Sequence, residues 1–97
     1  MTDALISRLQ AAIGDAYQIE REFASGGQSR LFLASDSVLP RKVVVKLLPP
    51  EMGGEVEAER FKREIRVLGR LQHPHIVPLL GTGHADDLLW YVMPFVR

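Results

Sequence analysis

The sequence predicts an α+β fold: a five-stranded antiparallel sheet with one long helix packed against it and a shorter amphipathic helix at the N-terminus. Three observations predict it. KVVVKLL, residues 42–48, is a β-branched run suited to a central strand. Residues 55–71 have the 3.6-residue period and charge density of an exposed amphipathic helix. Gly26-Gly27 separates two alternating stretches, as a hairpin turn does.

At the N-terminus, Thr2 or Asp3 can cap a helix that carries Leu5, Ile6, Leu9 and Ile13 at helical spacing and stops near Gly14. Residues 1–14 are thus a flanking amphipathic helix, and residues 15–97 the main domain. Residues 17–23 and 31–34 form the first two strands, and residues 35–41, with Pro40, turn the chain into the third. Pro49-Pro50 stops that strand, and a loop through Met52-Gly53-Gly54 leads to the long helix, whose Glu55 and Glu57 sit near its positive N-terminal end. A fourth strand is expected at residues 76–80, with Pro78 suggesting an edge position. HADD is turn chemistry, and LLWYVMPFV supplies the fifth strand.

Composition bounds the function. The 97 residues suffice for one small core, and 46% hydrophobic with 25% charged residues excludes wholesale disorder. Twelve basic residues balance twelve acidic ones, which removes the electrostatic argument for nucleic acid. With no cysteine, thiolate metal sites, disulfides and thiol nucleophiles are excluded. The start lacks a basic leader, and the longest apolar run, residues 88–96, is too short to span a bilayer as a helix; the expectation is a soluble, cytoplasmic segment without a membrane span.

The chemistry concentrates on two residues. Lys46 lies in an otherwise apolar strand, where an ammonium is costly unless an anion meets it; an edge strand protected by a lysine is the structural alternative. Glu64 follows the apolar stripe of Phe61, Leu68 and Leu71 and so points towards the sheet. Its partner is either Lys46 or, within the helix, Arg60. The turn at Gly26-Gly27 joins the two strands before Lys46, and its backbone amides can cover an anion held there.

These residues, in this order, resemble the N-terminal lobe of a bacterial serine/threonine protein kinase. The resemblance rests on FASGGQSRL, VVVK, ERFKREI, LQHPHIVPL and YVMPFV, and runs from about Tyr17 to Arg97. It implies ATP as ligand, a protein substrate and a complementary C-terminal lobe. Lys46 then corresponds to the lysine on the α- and β-phosphates and Glu64 to its helix partner, the two catalytic assignments. The glycine-rich loop corresponds to Phe23, Ala24, Ser25, Gly26, Gly27, Gln28 and Ser29. The resemblance further implies that Leu31 and Val44 line the adenine pocket, that Met93 stands at the gatekeeper position, and that Pro94 and Val96 fall at the hinge positions that bond adenine.

Ala24 and Ser29 replace two of the three loop glycines, and Val44 replaces a smaller alanine. H-R-D, D-F-G and A-P-E do not occur in these 97 residues, so the resemblance assigns the catalytic base and the Mg2+ ligands elsewhere, and the chain alone is expected not to transfer phosphate. The alternative is a noncatalytic interaction module that binds a partner along an exposed edge at residues 88–96. His73, His75, Asp86, Asp87, Trp90 and Tyr91 are read as loop, turn and packing residues. Glu64→Ala is expected to cost about 0–1 kcal/mol, as a surface ion pair does, and Phe61→Ala roughly 3 kcal/mol or more.

Overall fold

Stiff, branched side chains favour a pleated strand covered on both faces, and the KVVVKLL segment occupies that position. The computed structural model describes residues 2–26, 29–49, 54–70, 79–85 and 87–95, without the side chains of residues 2, 3, 25, 26 and 69. Its elements are α1 (Thr2–Ile13), a 3-10 turn (Gly14–Ala16), β1 (Tyr17–Gly26), β2 (Ser29–Asp36), β3 (Lys42–Leu48), α2 (Glu55–Arg70), β4 (Gly81–Ala85) and β5 (Leu88–Pro94). The five strands form one antiparallel sheet in the order β1-β2-β3-β5-β4. β3 therefore has a partner on each side, and Lys46 does not guard an edge.

The alternation of β3 divides the core between the two faces of the sheet. Val43, Val45 and Leu47 join Phe32, Ala34, Trp90 and Val92 on one face, where Leu5 and Leu9 of α1 complete the cluster. Leu48 and Tyr91 meet Phe61 of α2 on the other face, flanked by Ile65, Leu68, Leu89 and Met93. The two helices thus cover opposite sides. Gly14 ends α1 with φ of 77°, a left-handed conformation that favours glycine. Gln10 ties the corner by donating to the carbonyls of Gly14 and Tyr17 while its side-chain oxygen accepts from the Ile19 N–H.

Three expectations need correction. The hairpin strands run further than residues 17–23 and 31–34, reaching Gly26 and starting again at Ser29, with register irregularities between Ile19 and Arg21 and between Glu22 and Ala24. An Arg30–Glu22 fork, with contacts of 2.6 and 2.7 Å, braces that extension.

The fourth described strand lies at Gly81–Ala85; of the expected residues 76–80, Leu79 and Leu80 precede it outside any strand, and residues 76–78 are outside the described residues. Its glycines hid it from a propensity reading. Gly83 lies opposite Trp90, where an added Cβ would come within 2.5 Å of the indole Cζ2, so the missing side chain lets the ring lie across the strand. Thr82 Oγ1 donates to the Trp90 carbonyl alongside.

The fifth strand is interior, not the exposed edge on which a partner-binding module would rely. β5 pairs with both β3 and β4, and Leu88, Trp90, Tyr91 and Val92 are buried. Among the described residues no helix is long and apolar enough to cross a membrane. Pro50, Met52, Gly53, Leu71, His73, His75, Pro78 and Asp86 lie outside the described residues. Asp87 is an exposed turn residue that pairs with Arg8 of α1.

Candidate functional site

Directly opposed residues in a ladder share a face, so the register assembles the site. Lys46 is opposite Leu31 on one side and Tyr91 on the other, and Val44 is opposite Met93. Ala24 is opposite Leu31 in the hairpin. Ala24, Leu31, Val44, Lys46, Tyr91 and Met93 therefore share the face on which α2 packs. Val44 is buried, while Ala24, Leu31 and Met93 are half-buried.

The Lys46 Nζ is 2.7 Å from Glu64 Oε2, with the side chains 23% and 38% exposed. Glu64 reaches the sheet because it lies one turn from Phe61, the α2 residue buried against Leu48 and Tyr91. The intrahelical alternative is not realised: Glu64 is held by Lys46 and by the Tyr91 hydroxyl, which donates to the same Oε2 at 2.5 Å. The Lys46 ammonium also lies 5.6 Å from the Tyr91 ring centroid. That ring packs at 5.3 Å against Phe61.

Burial disfavours the charged Glu64 carboxylate, but the hydrogen bonds from Lys46 and Tyr91 and the lysine charge outweigh it, and its pKa is lowered. For Tyr91, burial, the bond to Glu64 and the glutamate charge all act in one direction and push the phenol up. Tyr91 therefore remains a hydrogen-bond donor at neutral pH.

A cavity of about 180 Å³ adjoins the pair, lined by Ser29, Lys46, Leu48, Glu57, Arg60, Phe61 and Glu64. Five of the seven lining residues are polar, so the space between hairpin, β3 and α2 is not closed by apolar side chains. Gly26 pairs with Ser29 at the base of the turn. Gly27 and Gln28, which follow Gly26 in the sequence, are outside the described residues, as are the Ser25 side chain and Val96.

Phe23 is 38% exposed. It meets Phe95 edge-on at 6.2 Å, linking the strand that enters the turn to the chain leaving β5. Phe95 is fixed in turn by its N–H, which donates to the Lys42 carbonyl. Pro94, opposite Val43, is half-buried at the end of β5.

Sequence reasoning missed Tyr91, Phe95 and the Arg30–Glu22 fork. Tyr91 carried a usable signal: it is two residues from Met93, and so shares that residue's face, on a strand long enough to pass Lys46. Phe95 carried none, since its contact is with Phe23, a residue distant in the sequence. Among the described residues, no group of three or more His, Cys, Asp or Glu is arranged to hold a metal ion.

Comparison with known proteins gives a consistent answer. The family model for protein tyrosine and serine/threonine kinases matches residues 18–97. The chain is similar to the serine/threonine-protein kinase PrkC of Bacillus subtilis, 36% identical over 86 residues that make up 88% of this chain and 13% of the relative. It is 37% identical over 98 residues to PknH of Mycobacterium tuberculosis, covering 100% of this chain and 16% of the relative. The crystal structure of the M. tuberculosis PknI kinase domain superposes with a TM-score of 0.65 at 30% identity, covering 84% of this chain and 34% of that one. The chain spans between 10% and 16% of the length of these and similar curated relatives. With the match extending from residue 18 through the last strand, and with the fold shared with part of a solved kinase domain, the chain belongs to the protein tyrosine and serine/threonine kinase family and is similar to the N-terminal lobe of bacterial serine/threonine kinases.

Proposed function

We propose that the chain is the ATP-binding lobe of a cytoplasmic serine/threonine kinase that transfers the γ-phosphoryl group of ATP to protein hydroxyls. The observation that carries this reading is the 2.7 Å Lys46–Glu64 pair beside a polar cavity under the hairpin. An ammonium has three donors, and Glu64 takes one. The others are free to meet the α- and β-phosphates, with Glu64 restraining a side chain that would otherwise sample many rotamers. Backbone amides of the turn between β1 and β2 are the proposed further donors to the phosphates.

Ala24, Leu31, Val44 and Met93 offer an apolar wall for the adenine, with Phe23 above it. The Pro94 carbonyl and Val96 amide are the proposed partners of the base's polar edge. Proline lacks an N–H, but that position uses only its carbonyl. ATP supplies the phosphoryl group, and Mg2+ accompanies it in this family. Among the described residues no group of three or more His, Cys, Asp or Glu would hold that ion. The chain matches 34% of the PknI kinase-domain structure, so the complementary lobe is the proposed source of the remaining catalytic groups.

The test is a titration with ATP, followed by fluorescence or calorimetry, of the wild-type chain and of Lys46→Ala. Binding that is lost in the variant supports the reading. Binding indifferent to Lys46, or none, rejects it.

A further inference from the structure

We infer that Tyr91 is a positioning residue for this site: its hydroxyl fixes the Glu64 carboxylate and, through it, the direction of the Lys46 ammonium. The inference deepens the proposed ATP reading and rests on it for its effect on nucleotide affinity. Two donors from adjacent strands, Lys46 of β3 and Tyr91 of β5, converge on the single oxygen Oε2. They are opposed in the ladder, so the convergence is built into the register of the sheet.

The two donors differ in stiffness. Lysine carries its ammonium on a flexible four-carbon stem, whereas the tyrosine hydroxyl sits on a ring with two side-chain torsions. That ring is 2% exposed and packs against Phe61 of the same helix that carries Glu64. Tyr91 therefore holds the carboxylate whether or not Lys46 is engaged elsewhere. When the ammonium turns to a phosphate, the acceptor waiting for it has not moved. An apolar residue at position 91 would fill the same space without supplying this restraint.

Among the described residues, the charged and titratable groups around Glu64 are Lys46 from β3, Tyr91 from β5, and Glu57 and Arg60 on its own helix. The experiment compares the full chain with Tyr91→Phe, Glu64→Gln and the double variant, using ATP as the probe. It also follows the Glu64 carboxyl by carbon NMR across pH. Tyr91→Phe keeps the ring and its packing. It is expected to weaken ATP binding about 3- to 10-fold, because a hydrogen bond to a charged group is lost but acts at one remove from the ligand. In the Glu64→Gln background, the same change is expected to alter affinity by less than about 2-fold, since the two residues act as one unit.

The Glu64 midpoint should rise in Tyr91→Phe, which loss of packing alone would not cause. An unmoved midpoint, or an equal loss of affinity with and without the glutamate, overturns the inference. If the wild-type chain binds no ATP, the nucleotide reading fails separately and the midpoint decides: a rise supports the role of Tyr91, and no change refutes it.

Discussion

Truncating Phe61 should destabilise this protein more than removing the charge of Glu64, although both residues hold α2 to the sheet. Phe61 is 5% exposed and in ring contact with Tyr91, with Leu48 beside it. Phe61→Ala leaves a cavity between helix and sheet and should cost about 3–5 kcal/mol. For Glu64→Ala, the sequence-based figure of 0–1 kcal/mol counted only a partly exposed ion pair. The structure adds a second loss, because the Tyr91 hydroxyl is left without its acceptor in a buried setting. The revised cost is about 1–3 kcal/mol. Urea unfolding is the appropriate assay, since guanidinium salt would screen the pair. Equal losses from the two variants, or a larger one from Glu64→Ala, would refute the claim that apolar packing holds the helix.

Other outcomes follow from individual contacts. Leu9→Ala should cost about 2–4 kcal/mol in the same assay, because Leu9 is fully buried in the core cluster although it belongs to the flanking helix. Gly83→Val should destabilise by about 1–3 kcal/mol and shift the Trp90 emission, since a Cβ there overlaps the indole. Glu22 and Glu64 both have lowered pKa values, Glu22 through its hydrogen bond to Arg30 against an opposing burial effect and Glu64 through Lys46 and Tyr91 against burial. Their contribution to stability is complete above the ordinary glutamate value of 4.5 and is lost as pH falls from there through the folded pKa. Stability measured against pH should therefore fall on the acid side, and Glu22→Gln should flatten the fall.

The sequence was most legible where one local pattern sufficed. Five β-branched or aliphatic residues among the seven of KVVVKLL defined β3, and the 3.6-residue period placed Glu64 towards the sheet from Phe61, Leu68 and Leu71. Lys46 and Glu64 were legible together because each is costly without the other. What was not legible depended on distant partners. β4 has glycine at two of its five positions, a residue depleted in strands, and it is held by its ladder to β5, where Gly83 lies opposite Trp90. Tyr91 looked like one more aromatic in an apolar run until the β3–β5 register set it opposite Lys46. The location of α1 on the face away from α2 follows from Leu5 and Leu9 finding the Val43, Val45 and Leu47 side of β3, a choice that helical periodicity does not specify.

The most direct test of the account is ATP affinity measured on the wild-type chain beside Lys46→Ala, under identical salt. The account predicts a dissociation constant of about 1 mM or tighter that is lost with the lysine. Undiminished binding after Lys46→Ala, or no binding by the wild-type chain, would contradict it.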